Sequence, residues 1–436
     1  MSTFRFGCVC FIEQESSPSF ASAIAQAGGV IGDITTEKIG ETNSVRAVTL
    51  EVVDEAHADR VVEVIKALPN VEVLDVVDRT FEWHRGGKIK VGARGEVRNI
   101  RDLRHVYTPG VARVSRAIEK DPARARELTW AGSSVAIFTN GTRVLGLGDI
   151  GPLASLPVME GKAMLYSQLV GLSAIPIVLD AKDPDTFIDI VARASIGFGA
   201  VHLEDIRTPD CFRIERELIE RLNKPVFHDD QHGTAVAALA ALLNVSKRTQ
   251  KPLQECVVGQ IGLGAAGSAI ARLIHAYGVR EVIVSDPNEA ACRSAAAWGA
   301  RPVDLTTLLA TADVVVATTG RPGLIPATSV REGQVIFALS NPDPEILPDE
   351  ALAAGAAFAS DGRTVNNALA YPGIMRGALN VGATRITSKM LIAASQAIAG
   401  CADEAELVPS PLDPRVHEAV IAAVSNEARA AQLASS

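Results

Sequence analysis

The run CVVGQIGLGAAGSAI, from Cys256 to Ile270, constrains the fold more than any other stretch of the chain. An apolar strand pattern passes into Gly262, Gly264 and Gly267 in GxGxxG spacing, and an Ala-rich helix pattern follows at once. The first glycine permits a tight turn, the second lets backbone approach a pyrophosphate, and the third lets helix and strand pack closely. Gly262, Leu263, Gly264, Ala265, Ala266 and Gly267 are therefore predicted to hold a dinucleotide at a helix N-terminus. The next strand, EVIVSDPN, ends at Asp286, where a carboxylate can accept hydrogen bonds from the adenosine ribose. No Arg or Lys follows until Arg293, so NAD is favoured over a cofactor carrying a 2′-phosphate, with NADP left as the alternative.

This restart at about residue 254 divides an α/β chain. With 436 residues, 47% hydrophobic and 4% aromatic, the chain has enough apolar material for two or three cores. The predicted division is 1–84, 85–253 and 254–436. Alternating strand and helix patterns fill the middle part. The last part ends in Ala-rich helices interrupted by Pro409, Pro411 and Pro414, expected to pack back on the body. A net charge of -9 argues against a general nucleic-acid surface. The start MSTFRFGCVCFIEQ and the longest apolar run, near TAVAALAALL, match neither a targeting nor a spanning segment, so no membrane association is expected. Six scattered cysteines without a CxxC pair suit a reducing, cytoplasmic setting.

Residues 4 to 80 carry a different pattern, in which FRFGCVCFI, SVRAVTLEVV and VEVLDVVDRTF read as strands and PSFASAIAQAGG and AHADRVVEVIKALPN as helices. The order resembles the small ferredoxin-like βαββαβ ACT domains. That resemblance implies a small-molecule effector at the turn AGGVIGDI, around Gly29 to Asp33, with a purely structural or dimerising module as the alternative. EWHRGGKIKVGARGEV is a plausible hinge to the body.

Two acidic doublets carry the chemistry. Glu204-Asp205 closes GAVHLEDI, and Asp229-Asp230 closes NKPVFHDD. In a parallel sheet the carboxyl ends of strands face the ligand crevice, so the doublets become neighbours. Crowded carboxylates repel unless a hard cation lies among them or some stay protonated; helix capping is the plainer alternative. TNGTRVLGLGDIG and LPVMEGKA supply Arg143, a planar fork for a carboxylate, and Lys162, which follows Gly161 and is expected to open an apolar helix, partly desolvated, with a lowered pKa suited to a base. Tyr107 in HVYTPGVARV is a candidate proton donor. Thr318-Thr319, Ser340-Asn341 and Asn366-Asn367 end strand-like runs towards the cofactor crevice. A hydroxy acid beside a nicotinamide and a divalent ion could lose hydride and then carbon dioxide, which calls for a base and a separate acid.

These residues resemble the malic enzymes. YTPGVA, GTRVLGLGDIG, LPVMEGKA, LEDI, FHDDQHGTA, GLGAAGS, SNP and VNNALAYPG occur in the family's order across roughly residues 100 to 400. The resemblance implies oxidative decarboxylation of malate to pyruvate with reduction of NAD(P), Tyr107 as general acid, Lys162 as general base and Asp229 holding that lysine. It also implies Glu204, Asp205 and Asp230 as ligands of Mg²⁺ or Mn²⁺, and Arg143, Asn341 and Asn367, with Lys162, around malate. A homodimer or higher homo-oligomer is expected. Zinc on His228 and His232 is the lesser alternative, since HDDQH lacks the HExxH order. The ACT-like unit lies outside the usual family core, and the long phosphotransacetylase-like extension of some bacterial members is absent. A malolactic-type enzyme with tightly held NAD and a catalytically silent metabolite sensor are the competing functions.

Overall fold

The computed structural model describes residues 4–13, 17–39, 43–144, 146–404 and 406–433. It falls into two compact units, Met1–Lys90 and Val91–Ser436, each described by itself.

The amino-terminal unit has strands β1 (Phe4–Glu13), β2 (Val30–Ile39), β3 (Asn43–Val52) and β4 (Val71–Asp78) in an antiparallel sheet of order β2-β3-β1-β4. Helices Ser17–Gln26 and Glu55–Lys66 complete a βαββαβ order. Alternation along the strands points Cys8, Cys10, Val48, Leu50 and Val52 at Phe20, Ile24, Ala58, Val61 and Ile65 of the helices. Burying each large aliphatic side chain in such a layer contributes about 1.5–3 kcal/mol. The predicted effector turn is shorter than expected: Gly28, at φ 83°, reverses the chain, and strand β2 is already running from Val30. Only Gly29 of the anticipated Gly29–Asp33 segment lies in the turn.

The second unit contains two parallel sheets. The first has order β6-β5-β7-β8, from β5 (Ser134–Thr139), β6 (Ser173–Val178), β7 (Ala200–Leu203) and β8 (Val226–His228). Val135, Ala136, Ile137 and Phe138 are fully buried, as expected of a strand covered on both faces. The second sheet has order β11-β10-β9-β12-β13-β14, from β9 (Val257–Ile261), β10 (Glu281–Ser285), β11 (Arg301–Pro302), β12 (Val314–Ala317), β13 (Val335–Ala338) and β14 (Phe358–Asp361). The order in which strands are added reverses between the parallel neighbours β9 and β12, which opens a crevice beyond Ile261. The carboxy-terminal helices Ser388–Cys401 and Pro414–Ala430 do pack back: Gly373 and Gly377 of helix Tyr371–Asn380 admit Val420 and Val424 so closely that added Cβ atoms would meet them at 2.7 and 2.9 Å.

One local expectation fails. Lys162 does not open a helix but sits in the middle of Pro152–Val170, because Gly151 at φ 81° and Pro152 at the first position start that helix ten residues earlier.

Candidate active site

Strand ends and two helices converge on one cluster. β7 stops at Leu203 and delivers Glu204 and Asp205; β8 stops at His228 and the helix Asp229–Arg248 begins with both acids of the second doublet in its first turn. β7 and β8 are adjacent, with Leu203 opposite His228, so the doublets face each other as predicted. Asp205 adopts φ 54°, a left-handed conformation that Asp tolerates better than most residues. Its carbonyl accepts from Arg143 N at 3.1 Å and its N–H donates to Asp230 Oδ2 at 2.9 Å.

Lys162 reaches the cluster from mid-helix. Its Nζ donates to Asp229 Oδ2 and lies 3.1 Å from Glu204 Oε1. Both carboxylates are buried, at 0% and 4% side-chain exposure, and the ammonium also stands 4.8 Å from the centre of the Tyr371 ring. The expected lowering of the lysine pKa is not what the environment produces. Burial pulls it down, but the negative charges of Asp229 and Glu204 outweigh that, and the amine is held protonated well above its ordinary range. Asn367 joins the same centre, donating to Asp229 Oδ2 at 3.3 Å while accepting from Thr234 Oγ1 at 3.1 Å.

The second carboxylate group suits a cation. Single oxygens of Glu204, Asp205 and Asp230 all lie within 4.8 Å of one another, and burial, with the charge of Glu204 behind it, pushes the Asp230 carboxyl up to about 6. Asp229 Oδ1 is buried with no hydrogen-bond partner. An all-oxygen donor set of this density fits a hard divalent ion. Zinc on the two histidines does not fit: His228 is wholly buried, its ring nitrogens make no hydrogen bond and Nδ1 lies 3.8 Å from Asp230 Oδ2, and His232 Nε2 is 3.0 Å from Glu215 Oε2.

Several supporting residues carried no recognisable signal in the sequence. His202, inside the apolar strand β7, has Nε2 2.7 Å from Glu204 Oε2 and Nδ1 2.8 Å from the Tyr166 hydroxyl; burial drops its pKa to about 3, so it is neutral. Tyr371 stacks edgewise on Tyr166 and His202. Glu215, on helix Asp210–Arg221, accepts from His228 N, Gln231 Nε2 and His232, which fastens the start of the helix bearing Asp229 and Asp230. The HLED and AYPG runs were visible, but which face their rings would take was not.

The remaining predicted residues divide. The Arg143 side chain is exposed beside Asp205, with no ion pair among the described residues. Asn341 is exposed at the end of β13. Tyr107 is not brought to the lysine: it is 67% exposed, at the end of the short helix Ile100–Val106, and no hydrogen bond or ring contact links it to the cluster. Thr319 and Ser340 do not face a ligand freely, because Glu345 accepts from Thr319 N at 2.6 Å, Thr319 Oγ1 at 2.8 Å and Ser340 Oγ at 2.5 Å.

The glycine run forms a turn between strand β9 and helix Ala265–Tyr277. Gly262 takes φ 86°, a Cβ on Gly267 would stand 2.0 Å from Gly262 O, and a Cβ on Gly264 would meet nothing within 4 Å, leaving backbone open to a phosphate at the N-terminus of helix Ala265–Tyr277. Asp286 ends β10 beside this turn, one oxygen accepting from Leu263 N at 2.6 Å and the other from Asn288 N at 2.7 Å. The residues therefore fit a dinucleotide.

Comparison with known proteins identifies the family. Residues 88–219 match the family "Malic enzyme, N-terminal domain" and residues 303–433 match "Malic enzyme, NAD binding domain"; residues 232–322 match the NAD-binding domain of D-isomer specific 2-hydroxyacid dehydrogenases. The NAD-dependent malic enzyme 1 of Bacillus subtilis is 50% identical over 410 residues, covering 94% of this chain and 93% of its own. The NAD-dependent malic enzyme of Geobacillus stearothermophilus is 41% identical over 435 residues, covering 94% and 91%. Coverage that high requires the amino-terminal unit to align as well. The crystal structure of malic enzyme from Pyrococcus horikoshii superposes with a TM-score of 0.77 at 38% identity, over 82% of this chain and 91% of that one.

Proposed function

This chain belongs to the malic enzyme family, and on that premise we propose how its residues share the reaction. The protein is an NAD-dependent malic enzyme, a decarboxylating oxidoreductase that converts malate to pyruvate and carbon dioxide. The observation that carries the assignment of roles is a single buried ammonium, Lys162, set between Asp229 and Glu204 at the edge of a three-carboxylate cluster.

Glu204, Asp205 and Asp230 would hold Mg²⁺ or Mn²⁺, which when bound polarises the oxygen that becomes the ketone and stabilises the charge left as carbon dioxide departs. NAD, held along Gly262, Leu263, Gly264, Ala265, Ala266 and Gly267 with Asp286 at its ribose, supplies the hydride acceptor. Arg143 grips a malate carboxylate through its fork, and Asn367 and Asn341 give amide hydrogen bonds that need no charge of their own. Asp229 fixes Lys162 in place. Once Glu204 is committed elsewhere, Lys162 faces one anionic partner instead of two, which eases release of its proton and lets it act as the base for the malate hydroxyl.

Tyr107 returns a proton to the carbon that lost carbon dioxide. To do so it must be carried to a lysine, and the segment bearing it is suited to that. Helices Ile100–Val106 and Val111–Lys120 bury no residue in this chain and expose Ile100, Leu103, Val106 and Val111. We assign them to a homodimer contact that places Tyr107 beside Lys162 of the partner subunit. The amino-terminal unit serves as an ACT-like regulatory module for a small-molecule effector, on the grounds of its βαββαβ order. All six cysteines are free thiols, in keeping with a cytoplasmic enzyme, and no helix among the described residues is long and apolar enough to cross a membrane.

The test is product analysis with malate, NAD and Mn²⁺. NADH and pyruvate formed in equal amounts support the reading; lactate formed with no accumulating NADH would replace it with the malolactic reaction.

A further inference from the structure

The strand ends on the far side of the dinucleotide turn are held by one buried carboxylate that the reaction does not use. β12 and β13 run side by side with Ala317 opposite Ala338, so Thr318–Thr319 and Leu339–Ser340 emerge together at their carboxyl ends. Glu345, in the SNPDPE run after β13, returns to them and is fully buried. Its Oε1 accepts from Thr319 N at 2.6 Å, Thr319 Oγ1 at 2.8 Å and Ser340 Oγ at 2.5 Å, and its Oε2 accepts from Ser340 N at 3.4 Å. An acidic side chain taken out of water needs donors to replace its hydration, and these four all belong to the two strand ends.

The network continues outward. Ser340 Oγ accepts from Gly320 N at 2.8 Å, and Thr319 Oγ1 accepts from Arg321 N at 3.1 Å. Gly320, Arg321 and Asn341 lie beyond it and are exposed; a Cβ on Gly320, at φ 65°, would meet nothing within 4 Å. Open backbone and an exposed amide therefore stand on a frame that is tied from behind.

The sheet order says which half of a dinucleotide these strand ends meet. Asp286 follows β10, on one side of β9, while β12 and β13 lie on the other. A cofactor with its phosphates at Gly264 and its adenosine ribose at Asp286 carries its nicotinamide over β12 and β13. The two turns also touch: a Cβ on Gly262 would stand 2.9 Å from Thr318 O and 3.2 Å from Thr319 Cγ2.

We propose that Glu345 is a positioning residue for the nicotinamide half of NAD, drawing Thr319 and Ser340 onto one carboxylate and so fixing the spacing of the Gly320 turn and Asn341 that receive the ring. The inference rests on the dinucleotide site described above. Glu345 itself touches no cofactor. A frame set before the ligand arrives spares the cost of ordering two loops on binding, so the residue acts on affinity for the nicotinamide end alone.

NADH and ADP separate the two halves, because ADP carries the adenosine ribose and a diphosphate but no nicotinamide. Calorimetric titration of the full chain with each reads binding without turnover. Glu345→Gln keeps the shape and one acceptor oxygen but removes the charge; it is expected to weaken NADH about tenfold and leave ADP within about twofold. Ser340→Ala cuts one hydroxyl link and leaves the carboxylate in place; it should weaken NADH by about threefold and again spare ADP. Thermal melts check folding, and Ser340→Ala carries the test if Glu345→Gln does not fold. NADH and ADP weakened alike, or NADH unchanged in the folded variants, would overturn the positioning role. Asp286→Ser, at the adenosine end, should weaken both ligands. An ADP affinity unchanged by that substitution, or no NADH binding to the unmodified chain, would instead overturn the assigned cofactor site, and the proposal with it.

Discussion

Lys162 and Asp229, 67 residues apart in sequence, meet as a buried ion pair in which the carboxylate is fully enclosed. The same oxygen of Asp229 also accepts from Asn367. One carboxylate thus ties the mid-helix lysine, the start of helix Asp229–Arg248 and the segment before Tyr371 into a single centre. Removing either partner leaves the other charged and buried, which typically destabilises by about 3–5 kcal/mol. Lys162→Ala is accordingly expected to lower kcat by about 10²- to 10⁴-fold and also to lower the urea midpoint, while Mn²⁺ still binds. Full activity in this variant would remove the lysine from the mechanism.

The Glu215–His232 pair gives the fold a pH signature. Burial alone would raise the Glu215 carboxyl, but the charge and hydrogen bond of His232 outweigh it and the net shift is downward; for His232, Glu215 outweighs burial and the net shift is upward. A depressed carboxyl stabilises above its unfolded value and loses that contribution as pH falls through its folded one. A raised histidine stabilises below its unfolded value and loses that contribution as pH rises through its folded one. Both are fully present only between the unfolded values, about 4.3 and 6.5. Glu215→Gln should therefore be less stable by about 1–3 kcal/mol in that window, with the gap narrowing on either side. Urea unfolding at a series of pH values measures this, and a constant gap would mean the pair contributes no charge interaction.

Tyr107 is assigned to act across a dimer contact, and mixed subunits test that. Tyr107→Phe and Lys162→Ala should each be nearly inactive alone. Mixed and allowed to exchange, they should regain roughly a quarter of the unmodified activity, because half the dimers then hold one site with both residues intact. No recovery, with exchange demonstrated, would place both residues of a site in one chain.

Asp286 and Gly267 are the residues proposed to govern the cofactor. Asp286→Ser removes both the ribose acceptor and the charge that opposes a 2′-phosphate, so kcat/KM should fall about tenfold for NAD and rise for NADP. Gly267→Val puts a side chain against Gly262 O, where even a Cβ would stand 2.0 Å away, and should raise KM for both cofactors. An Asp286→Ser enzyme with unchanged preference would move discrimination to neighbouring loops.

Features fixed by local chemistry were legible in the chain. Gly262, Gly267 and Asp286 follow from strand–turn–helix spacing, and the two doublets follow from the rule that parallel strands end at the crevice. Lys162 was legible as a residue of interest but not in its setting, because Gly161 looked like a helix start and Pro152 further back proved to be it. Its protonation was misjudged for a related reason: desolvation can be guessed from an apolar neighbourhood, whereas the opposing charges of Asp229 and Glu204 come from distant positions. The same distance hid His202, Tyr166, Tyr371 and Glu215, whose roles depend on which strand lies beside which. Thr319 and Ser340 looked like ligand contacts until Glu345 was seen to occupy them.

In the proposed mechanism the four clustered carboxylates divide into three for the cation and one for the lysine. Mn²⁺ affinity, measured by electron paramagnetic resonance on folded Asp229→Asn and Asp230→Asn enzymes alongside their turnover, tests it directly. Asp229→Asn should bind Mn²⁺ as the unmodified enzyme does while losing turnover, and Asp230→Asn should lose both. Equal loss of Mn²⁺ in the two variants would contradict the division.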